Sequence, residues 1–549
     1  MKKISLYKNN FFSLFTFLFL FLLRFSLLHA ESEFSLRIAP IIETPTSITE
    51  FNSGFGADIS LDWAFFQFAR NFNLGVSIGG AYSSLPFPTG DPLVLIEGKA
   101  GVFLKWRPFD RWAFSIAGNG GFYQYIRGEK TDNNFLASGN LGLEFYLSPY
   151  FSLFTEGEYT YRVFSSKPFN TFGAAVGVRI NLSEIMGGRS RIRIEKTEQY
   201  RVFPVSWAWY EDNPVAAVTV TNEEANTITD VNLSFYMDSF MSQPWTFAVV
   251  PRLAPGESVN IEVTSLFNEA MMNLNETVNA NGLLQTQYRS LGSRKETDIT
   301  INMPIFRRNF LSWDDDRRAA AFVSPNDFSA KVFAKYVQTA VNNEQIINKE
   351  GRIPINVIYA AALFEALRLY GINYIIDPSS SYIALSENAS ALDSLNYPYE
   401  TLRYRGGDCD DLSILFCSLL EALDVETAFI TVPGHIFAAF NVGDPQWYAN
   451  SGDIIELDGK RWLPLEITVP SEGFTRAWRI GTRQWRANSS AGIEQDRENS
   501  EKAKLLPIRE AWKIYPSVTV PSSGDYLQDL PEWDMIIFAL EKEINNFRR

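Results

Sequence analysis

Between residues 31 and 182 the chain alternates apolar and polar side chains with a period of two, and the charges of each run fall on one side of that alternation. In the clearest run Phe151, Leu153, Thr155, Gly157, Tyr159 and Tyr161 share one face, and Ser152, Phe154, Glu156, Glu158 and Thr160 share the other. The next run sets Phe172, Ala174, Val176, Val178, Ile180 and Leu182 against Gly173, Gly177, Arg179 and Asn181. Earlier, Val94, Ile96, Ala100, Val102, Leu104 and Trp106 oppose Glu97, Lys99 and Lys105. A period of two belongs to extended backbone, whose side chains point alternately to opposite faces. The segment therefore predicts about eight antiparallel strands separated by turn residues.

A soluble sandwich and a membrane barrel would both alternate in this way. Loop lengths favour the barrel: connections near 42–53, 83–92, 127–134 and 164–170 read as long, and those at 107–110 and 148–150 as short. Short turns at one end and long loops at the other are the habit of outer-membrane barrels. The segment resembles the small eight-stranded members of that class. The resemblance implies apolar side chains toward lipid, and Glu156, Glu158 and Arg179 pairing inside a lumen too narrow for an open pore. Trp63, Trp106, Trp112, Tyr146 and Tyr150 would form the interfacial girdles. An even number of strands returns the chain to the side it entered from, so everything after about residue 185 is expected in the periplasm.

The first thirty residues agree with export. Lys2 and Lys3 precede a Phe/Leu-rich stretch from Phe11 to Leu28, and Leu28-His29-Ala30 closes it, the pattern of a signal peptide cut after Ala30. The formal net charge of −14 excludes nucleic acid as a natural partner. Residues 186–199 read as a short basic linker. From 200 to 306, brief apolar runs with turns between them (Val205–Tyr210, Ala216–Val220, Val231–Tyr236, Trp245–Val250, Ser258–Val263, Asp298–Met303) suit an immunoglobulin-like β-sandwich. None of them carries chemistry.

Chemistry gathers between 307 and 490. Beyond the leader there is one histidine, His435, and the chain has two cysteines, Cys409 and Cys417. Histidine is the side chain whose ordinary pKa suits proton transfer near neutrality, so a single copy narrows the search. Cys409 stands in Gly406-Gly407-Asp408-Cys409-Asp410-Asp411-Leu412, where Asp408 is a good N-cap and Asp411 can reciprocate. The apolar residues that follow continue a helix, so both thiols lie on one helix about 12 Å apart and stay free. At a helix start, unpaired N–H groups and the dipole favour a thiolate and can hold an oxyanion. His435 follows the Pro433-Gly434 turn between two predicted strands. Glu466 sits on the polar face of a third, Arg461–Thr468, where it can accept a hydrogen bond from His435. Cys417 reads as packed core. Asp410/Asp411 and Asp314/Asp315/Asp316 read as capping and solvated residues without ligand spacing, and one histidine with two distant thiols makes a poor zinc site. No metal or cofactor is called for.

Together, Gly407-Asp408-Cys409-Asp410-Asp411-Leu412, Pro433-Gly434-His435 and Trp462-Leu463-Pro464-Leu465-Glu466-Ile467-Thr468 resemble the transglutaminase-like superfamily, over about 320 to 490. The resemblance implies an α+β papain-like fold with Cys409 as nucleophile, His435 as general base and Glu466 as triad carboxylate. It implies amide or peptide bonds as substrate, in protein or cell-wall peptide, with hydrolysis or acyl transfer as outcome. Glutamate replaces the usual aspartate; Asp453 and Asp458 are the other carboxylates to consider. A non-catalytic binding or structural module is the competing expectation, since function lives in sites and not in folds. Residues 491–549 form a charged extension with a final helix from Trp533 to Phe547, either packed on the catalytic domain or serving a partner.

Overall fold

The computed structural model describes residues 33–47, 50–69, 71–88, 90–164, 167–186, 190–344, 353–376, 392–444, 446–447, 452–489, 503–520 and 527–547. The expected signal peptide lies outside the described residues.

The alternating segment closes into an antiparallel barrel of eight strands: β1 (Glu33–Pro45), β2 (Gly54–Ala69), β3 (Phe72–Leu85), β4 (Leu93–Phe109), β5 (Trp112–Arg127), β6 (Lys130–Tyr146), β7 (Phe151–Phe164) and β8 (Lys167–Asn181). Strand β1 pairs with both β2 and β8, which abolishes free edges. Its charges point inward and are paired: Arg37 with Glu156 at 2.8 Å, Lys99 with Glu158 at 2.8 Å, and Arg179 with Asp62 at 2.6 Å and Glu144 at 3.2 Å. The expected partners were therefore the wrong ones. Glu156 and Glu158 meet Arg37 and Lys99 across the lumen, while Arg179 reaches other carboxylates. Outside, Leu141 is 67% and Val176 66% exposed, with Ile59, Val102, Ile116, Phe122 and Phe135 also open. Apolar residues outside a charged interior invert the soluble arrangement, and such a surface belongs in hydrocarbon.

The loop asymmetry is smaller than expected. The β5–β6 connection is a two-residue hairpin, because alternation runs on through Lys130 to Asn133 and Gly128 at φ +57° completes the tight turn, and β7 and β8 pair out to Phe164 opposite Lys167. The connections after β1 and β3 are longer, and Phe51 and Phe87 within them join an apolar cluster with Leu85, Leu93, Leu95, Tyr123, Leu136 and Phe169.

Two sheets over one core follow. One contains β9 (Ile192–Gln199), β10 (Ala216–Asn222) and β13 (Ser258–Val263); the other contains β11 (Ile228–Tyr236), β12 (Trp245–Leu253), β14 (Val278–Ser290) and β15 (Ser293–Ile305). Two expectations are corrected here. Most of the basic stretch 186–199 is strand β9, whose Ile192 and Ile194 turn into the core while Arg193 and Glu195 face out. The run Val205–Tyr210 is a 3-10 helix (Pro204–Glu211): Pro204 has no N–H for a ladder, and the Tyr210 hydroxyl takes the Phe203 N–H at 2.8 Å.

In the described residues that follow, β16 (Phe310–Ser312) pairs with β18 (Leu392–Ser394), β17 (Asn373–Tyr374) runs beside β19 (Gly406–Gly407), and the apolar side chains gather in one large core and a smaller cluster on the sheet. Helices α1 (Phe328–Asn343), α2 (Ile355–Tyr370), α3 (Pro398–Tyr404) and α4 (Cys409–Glu421) pack against an antiparallel sheet ordered β22-β23-β21-β20-β24. Its strands are β20 (Thr427–Val432), β21 (His435–Asn441), β22 (Ile455–Leu457), β23 (Lys460–Leu465) and β24 (Lys504–Pro507). Helix α5 (Phe474–Asn488) lies over β23, and α6 (Trp533–Phe547) lies on α1 and α2. The extension thus contributes an edge strand and a helix to this same core.

Candidate active site

Asp408 starts α4 as its N-cap, its side chain accepting from the Asp411 N–H at 3.5 Å, and every residue of the helix is buried. Gly407 is required before it, because a Cβ there would stand 2.5 Å from Asp411 Cβ. Cys409, 5% exposed, occupies the first helical position, where the backbone N–H groups of Ile436 and Asp410 favour the charged form of its sulfur. Ile436 belongs to β21 and follows His435 directly. The thiol therefore faces the start of the strand that carries the histidine.

His435 is held there by local chemistry. Pro433 fixes its own φ and Gly434 supplies φ +72°, a two-residue turn that closes β20 onto β21 with Val432 opposite His435. Glu466 follows the last residue of β23. Its Oε2 lies 2.7 Å from His435 Nε2, and its Oε1 accepts from the Thr468 hydroxyl at 2.6 Å and the Thr468 N–H at 3.1 Å. With Nε2–H donated to the carboxylate, Nδ1 carries the lone pair that a base needs. Burial works to raise the Glu466 carboxyl, but His435 and Thr468 outweigh it and hold it below the ordinary carboxylate value. Asp453 pairs with Arg486 at 3.2 Å and Asp458 sits in the β22–β23 turn, so Glu466 is the carboxylate at the histidine.

Three expectations change in detail. The polar face of β23 is not solvated: Glu466 is 1% exposed, covered by α5, where Gly481 comes so close that a Cβ would stand 3.0 Å from the backbone N of Glu466. The acidic residues flanking Cys409 are buried and not solvated, and the ligand atoms of Asp408, Asp410 and Asp411 lie within 4.8 Å of one another. Asn396 holds Asp411 through its backbone N–H at 2.7 Å and its amide at 2.6 Å. Finally, burial, with the Asp408 charge and then Glu466 adding to it, pushes the Cys409 thiol up to about 12, against the Ile436 and Asp410 N–H groups. Helix-start donors favour the thiolate as expected, but the anions and burial outweigh them. Ionising Cys409 thus needs a cation beside it.

Cys417 is fully buried with Sγ 4.0 Å from the Ala428 carbonyl oxygen, and burial pushes its thiol above the ordinary value. Asp424 adopts φ +62° after α4 and binds Arg509 at 2.7 Å. Of the other acidic run, Asp315 caps a 3-10 turn and Asp314 pairs with Arg318 at 3.0 Å. Gly481 and Asn396 were not foreseen from the sequence; a lone glycine inside a helical pattern was the one available signal, for Gly481.

No protein-family model matches the chain, and no curated protein matches it. Among solved structures it is similar to Neisserial surface protein A, at 11% identity over 27% of this chain and 96% of that one, with a TM-score of 0.22. It is also similar to Ail, the attachment invasion locus protein of Yersinia pestis, at 12% identity over 27% and 99%, with a TM-score of 0.21. The N-terminal β-barrel domain of Pseudomonas aeruginosa OprF gives 14% over 27% and 97%, with a TM-score of 0.18.

Proposed function

We propose that the chain is an outer-membrane-anchored cysteine enzyme of transglutaminase-like character that breaks or exchanges amide bonds. The signal peptide exports it, the barrel embeds it, and an immunoglobulin-like sandwich spaces a papain-like domain on the periplasmic side. One observation carries the chemistry: the chain's histidine outside the leader is bonded at 2.7 Å to a buried carboxylate, and it starts the strand that packs against the helix begun by Cys409. His435 takes the Cys409 proton at Nδ1, Glu466 stabilises the imidazolium, and the thiolate attacks the carbonyl carbon. The C–N bond breaks with the Nδ1 proton passing to the leaving amine, which leaves a thioester on Cys409. Water then gives hydrolysis and an amine gives transfer. Both remain open to a protein or peptide substrate.

The competing reading is an inactive module, favoured by the thiol held near 12. To separate them, the detergent-solubilised full chain is incubated with a mixed cell-wall and protein peptide digest, acid-quenched, and the Cys409 peptide is weighed. An acyl adduct released by hydroxylamine and absent from Cys409→Ser supports the enzyme. Its absence, with no product formed over the Cys409→Ser control, contradicts it.

A further inference from the structure

Helix α5, which covers Glu466, begins without a cap of its own. Gly473 precedes it at φ +82°, a left-handed conformation that favours glycine, and with no side chain it leaves the first N–H groups of the helix without an acceptor. Carboxylates from two other helices supply that acceptor. Glu365 of α2 takes the Phe474 N–H at 3.0 Å through Oε1, while its Oε2 is held by Arg368 at 2.7 Å. Glu543 of α6 takes the Thr475 N–H at 2.7 Å and the Thr475 hydroxyl at 2.6 Å, both through Oε2. The two are 2% and 6% exposed, and a Cβ on Gly473 would stand 3.0 Å from Glu543 Oε1 and 3.5 Å from Glu365 Oε1.

Glu543 is the less expected of the pair. Glu365 has Arg368 as counter-ion, whereas among the described residues no cation pairs with Glu543: the Asn546 amide donates to its Oε1 at 3.2 Å, and the positive end of α5 faces its Oε2. A buried carboxylate is costly, and an apolar side chain between the buried Leu540 and Ile544 would pack at lower cost. What the carboxylate supplies instead is a fixed register for α5. That register reaches the triad directly. Ala477, two residues after Thr475, accepts from the Glu466 N–H at 3.2 Å, and Glu466 Oε2 lies 2.7 Å from His435 Nε2.

We propose that Glu543 is a positioning residue of this site: by fixing the start of α5 it sets, through the Ala477 carbonyl, where Glu466 meets His435. The extension that carries α6 is then a working part of the site. Glu365 holds the same turn from α2, so three helices converge on the one residue, Gly473, that cannot cap itself. The consequence for Cys409 rests on the acyl-transfer reading; the consequence for the His435–Glu466 bond does not.

The test reads these two consequences separately, on the full chain in detergent. His435 is the only histidine beyond the leader, so selective nitrogen-15 labelling of histidine reports its Nε2–H without overlap, and iodoacetamide reports the Cys409 rate at the peptide level. Glu543→Leu keeps apolar volume in the core and removes the acceptor, Glu543→Gln keeps an acceptor oxygen, and Leu540→Ala removes packing from the same helix while leaving both caps of α5 in place. Glu543→Leu is expected to shift or broaden the Nε2–H resonance and to slow Cys409 alkylation roughly 10- to 100-fold, with Glu543→Gln restoring both to within about threefold of wild type. Leu540→Ala should lower the melting temperature and leave both readings nearly unchanged. An unmoved Nε2–H resonance in Glu543→Leu would overturn the positioning role, and so would an equal displacement in Leu540→Ala, which would assign Glu543 to stability alone. A displaced resonance with a Cys409 rate indifferent to both Glu543→Leu and His435→Ala would uphold the positioning of Glu466 and overturn the catalytic reading.

Discussion

At the scale of single residues, the proposed triad depends on one methylene. Glu466 follows the end of β23, and its extra carbon relative to aspartate spans the distance from there to His435 Nε2. Glu466→Asp is expected to lose that 2.7 Å bond, and Glu466→Gln to keep the shape but lose the charge; each should lower turnover on the order of 10²- to 10⁴-fold, measured as kcat on any substrate found. The position of this carboxylate was legible because alternation fixed its face and histidine its partner. Its burial was not, since only tertiary packing sets α5 against β23. A second residue-scale expectation concerns pH. Burial, with the Asp408 charge adding to it, raises the Asp411 carboxyl from an ordinary 3.8 to about 7. A raised carboxyl favours the protonated fold: the associated stability is present below about 3.8 and is lost as pH rises through 7. Denaturant unfolding of Asp411→Asn against pH should therefore show a flatter profile over that window than the wild type. An equally steep profile would place the effect elsewhere.

At the scale of elements, two backbone devices aim the site. Gly434 holds φ +72° in the β20–β21 turn, and Gly481 lets α5 approach the end of β23. Gly434→Ala should cost about 1–2 kcal/mol from the strained turn, and displace His435 enough to slow Cys409 chemistry beyond what the stability loss explains. Gly481→Val should push α5 from β23, lower the melting temperature and weaken the His435–Glu466 contact, seen as a changed histidine ring NMR shift. The Pro433-Gly434 turn was legible from two residues. Strands β14 and β9 were not: β14 breaks its pattern with Gly282 and polar residues, and β9 carries enough charge to read as linker. The extension was undecided in the sequence because its strand β24 is defined only by its neighbour β20.

At the scale of the whole molecule, the parts are tied together at one end of the barrel. Ser35 pairs with Asn181, so chain entry and exit lie at the same end, and there Asp110 accepts from the Thr227 N–H at 3.0 Å and Lys295 binds Glu184 and Glu224 at 3.0 Å. Beyond, Trp209 of the sandwich segment packs on Tyr515 with ring centres 5.7 Å apart, and Arg318 lies over both rings. The strands were legible in the alternation itself, but their inversion, charges in and apolar residues out, was not, since a soluble sheet would alternate in the same way and loop length made the choice. Which charges pair was not, because those contacts cross the lumen between distant strands. The full chain is expected to be heat-modifiable, with unboiled and boiled samples migrating differently on a detergent gel; identical migration, together with solubility without detergent, would contradict the membrane assignment. The proposed function turns on His435 making the Cys409 thiolate. Its most direct test is the iodoacetamide rate at Cys409 against pH, followed at the peptide level to separate it from Cys417, in wild type and His435→Ala. A thiolate–imidazolium pair gives a wild-type rate nearly flat across neutral pH, and an unassisted buried thiol gives a variant rate that climbs about tenfold per pH unit. Two profiles of the same slope would mean that His435 does not activate Cys409.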